Sequence, residues 1–140
     1  MYTAIELSKY IVSKCIHDGQ PITNLQLQKI LYYIQKEFLI QNDFAFPDDI
    51  EAWQFGPVVP SVYYHFCNFG AMPIFIPYSD SDITETVASI VDPIVESKRL
   101  LKPWDMVEET HKPNGAWAQI YQEGLGNHTI IPTSLIKEAG

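Results

Sequence analysis

Glu51-Ala52-Trp53-Gln54-Phe55-Gly56-Pro57-Val58-Val59-Pro60 is the stretch on which the reading of this chain turns. Two large aromatic rings, Trp53 and Phe55, run straight into residues that restrict the backbone. Gly56 admits conformations that a side chain forbids, while Pro57 and Pro60 each fix φ and remove a backbone donor. Gly56 and Val59 both precede a proline and are biased away from the helical region. No regular helix or strand is expected to run through such a segment, so it reads as a stiff elbow. Two roles fit an elbow that carries these rings. One is a corner that plugs the core with aromatics. The other is a preformed recognition surface, because rigid aromatics bind at low entropic cost.

Outward from the elbow, the pattern is helical. Pro60 suits the first turn of a helix carrying Val62, Tyr63, Phe66 and Phe69, closed by Gly70. Ile50 to Phe55 reads as a brief strand. The Pro/Ile alternation of residues 73–78 allows at best an edge strand, paired with Ile50–Phe55 as a small ribbon. Upstream, Thr3 and Glu6 form a capping-box pattern before Ala4, Leu7, Ile11 and Cys15 repeat at helical spacing, and Gly19 is a stop. Thr23 with Gln26 gives a second capping box, and Ile22 with Leu27 a hydrophobic staple. Leu27, Ile30, Leu31, Ile34 and Phe38 then trace one apolar stripe, with Gln28, Lys29, Lys36 and Glu37 off it. Downstream, Asp82 and Glu85 cap a helix through Val87, Ile90, Val91, Ile94 and Val95, which Pro93 should kink or split. Pro103 reopens a helix with Trp104, Val107 and His111 on one face. Asn114-Gly115 is a turn, Trp117, Ile120 and Tyr121 belong to a short helix ending at Gly124, and Ile130 to Ile136 reads as a last helix. The expected fold is mainly α: a compact single-domain helical bundle over residues 1–140, with a rigid Gly-Pro elbow and a short two-stranded ribbon.

Composition narrows the function classes. A chain of 140 residues with 46% apolar content fits one globular domain. No run of about 18 apolar residues is present to span a bilayer, and two cysteines make no disulfide framework. A cytoplasmic protein without membrane association is expected. The net charge of −8, with nine basic residues of which only Arg99 is arginine, speaks against binding nucleic acid directly. An acidic surface would attract a basic protein, or simply keep the chain in solution.

The residues assemble no recognisable catalytic motif. Cys15 and Cys67 lie in apolar helical surroundings where a small core thiol is the default. Gly124-Leu125-Gly126 is followed by Asn127-His128 rather than by a helix-opening Gly or Lys. None of the four histidines pairs at helical spacing with a second His or Cys, so neither a metal nor a cofactor is expected. His111 stands at a helix end, where an imidazolium favours the dipole and can bond terminal carbonyls. It could also border a groove with Thr110, Trp117 and Trp53, or act as a general base with a distant nucleophile. Tyr32 and Tyr33 point about 100° apart, so one is expected in the core and the other toward the elbow.

Three blocks carry a family resemblance. Asn24-x-x-Leu27-Gln28-Lys29-Ile30-Leu31-Tyr32-Tyr33, then Ile50 through Tyr63 with Trp53-x-Phe55-Gly56-Pro57-Val58-Val59, then Thr110-His111 followed by Ala116-Trp117, resemble the signature of the Panacea antitoxin domain. That family includes SocA-like antitoxins and phage-associated GepA-like proteins. The resemblance implies a non-enzymatic antitoxin that neutralises a co-encoded, basic toxin by direct contact, with delivery of the toxin to a protease as a further route. It places the partner-binding surface at Tyr32, Tyr33, Trp53, Phe55, Gly56, Pro57, Val58, Tyr63, Thr110, His111 and Trp117. A phage accessory protein that binds a host factor, and a His111-dependent hydrolase, stand as alternatives. Pro93 and Pro103 depart from the more continuous helix expected of the family, and no DNA-binding region for autoregulation is visible.

Overall fold

The computed structural model describes residues 1–139 and is organised around one helix, α2 (Asn24–Ile40), which is touched from several sides. Before it, α1 (Ala4–His17) begins as its capping box requires. Thr3 Oγ1 accepts the Glu6 N–H at 3.1 Å, and Glu6 Oε1 accepts the Thr3 N–H at 2.9 Å. Thr23 and Gln26 repeat the arrangement at the start of α2. The elbow that follows is a β-hairpin, β1 (Glu51–Trp53) with β2 (Gly56–Val58). Then come α3 (Pro60–His65), a 3₁₀ turn at Cys67–Phe69, α4 (Glu85–Lys98), α5 (Pro103–Thr110), α6 (Ala116–Tyr121), β3 (Thr129–Ile130) and α7 (Thr133–Ala139). The fold is mainly α, and one hydrophobic cluster joins residues from α1 through α7.

The stripe Leu27, Ile30, Leu31, Ile34 and Phe38 is buried, as its spacing predicts. Gln28 and Lys29, expected off that stripe, are buried as well. Helical periodicity identifies one apolar face, but α2 is contacted by α1, α3, α4, α5, α7 and β2, and the hairpin covers its second face. Polar groups buried this way need partners. Gln35 accepts the Ala45 N–H and donates to the Phe46 carbonyl, both at 2.8 Å, which pins the 44–49 loop to the helix.

The elbow differs from expectation because regular pairing does run through it. Glu51, Ala52 and Trp53 face Val58, Pro57 and Gly56, leaving only Gln54-Phe55 as the loop. Pro57 is tolerated because β2 is an edge strand in the order β2-β1-β3. The partner on the other side is β3, with Glu51 opposite Ile130, rather than residues 73–78. That segment forms no strand; Ile74 is buried and its N–H donates to the Ile22 carbonyl at 2.8 Å. Thr129–Ile130 is consequently strand, and the last helix begins only after Pro132. Thr84 rather than Asp82 caps α4. Pro93 does not split it: Pro93 and Ser89, whose carbonyl loses a partner, both lie on the exposed face, where water can serve that carbonyl.

Candidate functional site

The hairpin is fixed to α2 by a relay of side-chain amides. Gln28 Oε1 accepts the Val59 N–H at 2.8 Å, Gln28 Nε2 donates to Asn24 Oδ1 at 2.9 Å, and Asn24 Nδ2 donates to the Tyr63 carbonyl at 3.1 Å. Beside Gln28 on the helix, Lys29 Nζ donates to the Pro57 carbonyl at 3.2 Å. Gly56 makes this approach possible. Its φ is +120°, and a Cβ there would stand 2.8 Å from Lys29 Nζ and 2.9 Å from Thr110 Oγ1. Burial alone lowers the Lys29 pKa to about 7.

Behind the hairpin, an aromatic stack supports its far end. The His111 ring lies on Trp117 at 3.6 Å between centroids and 8° between planes, and Trp117 lies on Tyr121 at 4.6 Å. Trp117 Nε1 donates to the Trp53 carbonyl at 2.8 Å, so the stack ends on β1. Burial, and then the charge of Lys29, hold the His111 imidazole below its ordinary pKa; the Phe55 carbonyl acts in the opposite sense. Among the described residues, His111 Nε2 is buried without a hydrogen-bond partner.

In front of the hairpin lies a cleft of about 480 Å³. Trp53, Phe55, Val58 and Tyr63 form one side; the first turns of α2, Cys67, Ala71 and His128 complete it. The Trp53 ring stacks on His128 at 4.2 Å and 12°, meets the edge of Tyr63 at 5.0 Å, and sends its Nε1–H to Glu51 Oε1 at 3.0 Å. At the hairpin tip, Phe55 is 47% exposed and meets Trp104, 65% exposed, edge-on at 5.7 Å. A cleft of about 520 Å³ between α1 and residues 77–82 contains none of the residues expected at a partner surface.

The eleven residues expected at a partner surface thus fall into three groups. Trp53, Phe55, Val58 and Tyr63 share the cleft, whereas Gly56, Pro57, Thr110, His111 and Trp117 form the buried or half-buried support beneath and behind it. Tyr32 is buried in the core, its hydroxyl pKa pushed up to about 12 by burial. Tyr33 points to the opposite side, where its hydroxyl donates to Glu109 at 3.4 Å and Lys98 Nζ sits 4.1 Å above its ring. Sequence reasoning missed Lys29 and His128. Lys29 carried a signal, lying inside the Gln28-Lys29 core of the first signature block; His128 carried none. Among the described residues no three His, Cys, Asp or Glu side chains gather closely enough to hold a metal ion, and no helix is long and apolar enough to cross a membrane.

Fold and site together define a helical domain whose distinctive feature is an aromatic hairpin clamped to a central helix. The family described as antitoxin SocA-like, Panacea domain, matches residues 27–118, which include most of α2, the hairpin and Trp117. The chain belongs to that family. It is also similar to antitoxin SocA of Caulobacter vibrioides (strain NA1000 / CB15N), with 39% identity over 74 residues. The match covers 52% of this chain and 39% of the relative, so the chain spans about two-fifths of that protein's length. No solved structure matches it.

Proposed function

We propose that this chain is a single-domain, non-enzymatic antitoxin-like protein that neutralises a toxin encoded beside it by direct contact at the hairpin face. The observation that carries this reading is the exposed ring of Phe55 at the tip of a hairpin held rigidly from behind, with the exposed Trp104 of α5 edge-on beside it. Exposed aromatics on a braced element lose little freedom on binding, and such anchors dominate interface energies. The charge of −8 favours a basic partner by steering the encounter. His111, stacked on Trp117 with no nucleophile at Nε2, fits a bracing role better than a catalytic one. Occlusion of the toxin suffices for this mechanism; delivery to a protease would add a second contact, visible as a shortened toxin half-life.

The test is co-expression with the product of the neighbouring reading frame. A stable complex and restored growth are expected from the wild-type chain. A Phe55→Ser/Trp104→Ser chain should fold, yet lose both. Full neutralisation by the folded double variant would remove the hairpin tip from the interface.

A further inference from the structure

Lys29 poses a problem that the hairpin clamp leaves unsolved. Its exposure is 0%, yet it takes part in none of the ion pairs among the described residues, which use Lys14, Lys98 and Arg99. An ammonium has three donors, and only one here is matched, by the neutral Pro57 carbonyl. A buried cation without a counter-ion is costly. Among the described residues nothing acidic offsets the desolvation of Lys29, and the titratable neighbour that feels its charge is the imidazole of His111, which carries the wrong sign.

Lys29 is also part of the wall of the 480 Å³ cleft, and the composition of that wall is unusual for this chain. Seventeen Asp and Glu residues occur in the sequence, and none lines the cleft. The nearby Glu51 carboxylate accepts the Trp53 indole N–H. The other titratable groups in the wall are Tyr63, Cys67 and His128. The amides of Asn24 and Gln28 are committed to their relay. What remains is a cation with spare donors at the back, aromatic and aliphatic surface from Trp53, Tyr63, Leu25 and Val58, and the positive end of α2 at the rim.

We propose that this cleft is a binding site for a carboxylate carried on a flat apolar body, with the carboxylate on Lys29 Nζ and the body against Trp53 and Tyr63. The flexible stem of Lys29 allows Nζ to turn from the Pro57 carbonyl toward the cleft. An ammonium pairs with a carboxylate through short, charge-assisted hydrogen bonds. The volume falls within the range of small-ligand pockets. The carboxylate has two sources, a free small acid or the chain terminus of a bound protein, and the cleft shares Phe55 with the proposed toxin-docking tip, whereas Lys29 and Ala71 lie outside that tip.

Two matched probe pairs test it on the full chain by amide and indole NMR. Indole-3-acetate is compared with indole-3-acetamide, and a peptide ending in Ala-Leu-COOH with its C-terminal amide. The acids should shift the Gly56 and Val58 amides and the Trp53 indole, whereas the neutral partners should bind roughly tenfold more weakly or not at all. Binding of both acids points to the carboxylate alone, and binding of only the peptide acid to a protein terminus; either outcome supports the site. Lys29→Met should lower acid affinity by about tenfold or more. Ala71→Glu, at an exposed position on the rim, should do so without touching the core. Equal binding of acid and amide, no binding of either acid, or unchanged acid affinity in both variants overturns the proposal.

Discussion

Replacing Gly56 by alanine puts the architecture of the hairpin at risk through two separate costs. The backbone there has φ of +120°, a region that L side chains rarely enter, and holding one there costs about 1–3 kcal/mol. The new Cβ would also stand 2.8 and 2.9 Å from Lys29 Nζ and Cε, and 2.9 Å from Thr110 Oγ1. Thr110 Oγ1 cannot retreat easily, because it is buried and held on the Val107 carbonyl at 3.0 Å, and relieving such overpacking costs about 1–3 kcal/mol more. Against this, alanine restricts the unfolded chain, which returns about 0.4–1 kcal/mol. The net expectation is a loss of about 2–5 kcal/mol. Urea unfolding followed by tryptophan fluorescence reads this as a midpoint lower by roughly 1–2.5 M, for a slope of about 2 kcal/mol per M. Gly19 supplies the control: its φ is +73°, but nothing lies within 4 Å of where a methyl group would stand, so Gly19→Ala carries only the conformational cost of about 1–2 kcal/mol. A Gly56→Ala variant no less stable than Gly19→Ala would refute the close packing of the hairpin on Lys29 and Thr110.

The buried lysine sets a pH dependence. Its pKa is about 7 in the folded chain and near 10.5 when unfolded, so between those values the unfolded chain binds a proton that the folded one does not. Stability therefore rises with pH from 7 to 9, by up to about 1.4 kcal/mol per unit. The opposing Tyr10 and Tyr32, raised to about 12, act only above pH 10. Lys29→Met should flatten this rise and be at least as stable as wild type at pH 7, since a matched apolar side chain removes an uncompensated charge; a steeper rise in the variant would contradict the assignment. The two cysteines should separate cleanly under a thiol reagent. Cys67 is exposed and reacts at once, while buried Cys15, whose thiol pKa burial pushes up, reacts only on unfolding. Equal native-state rates would rule out this packing of α1.

Elements with a local signal were readable from the sequence. The capping boxes at Thr3 and Thr23, Pro at the first turn of α3 and α5, and the Asn114-Gly115 turn rest on neighbouring residues, and they stand where the sequence puts them. Features made by distant partners were not. The hairpin strands are three residues each, too short for a period, and β3 arrives from more than seventy residues away with only Thr129 and Ile130. The burial of Gln28 and Lys29 depends on what covers the second face of α2, which no helical stripe records. Much the same holds for the candidate site. Trp53 and Phe55 were visible as rings beside Gly-Pro, but their placement was not: the Trp53 ring is half-buried in the cleft wall and its backbone carbonyl accepts the Trp117 indole N–H, while Phe55 projects from the tip. His128 reaches Trp53 only through β3, and so had no sequence signal at all.

The most direct measurement is the affinity of the purified chain for the product of the neighbouring reading frame, its proposed toxin, compared with that of Phe55→Ser/Trp104→Ser at matched urea midpoints. Loss of two aromatic anchors should cost about 2 kcal/mol or more, a weakening of roughly thirtyfold at least. An unchanged Kd in the folded double variant, or no binding by the wild-type chain, would contradict the hairpin face as the toxin-binding surface.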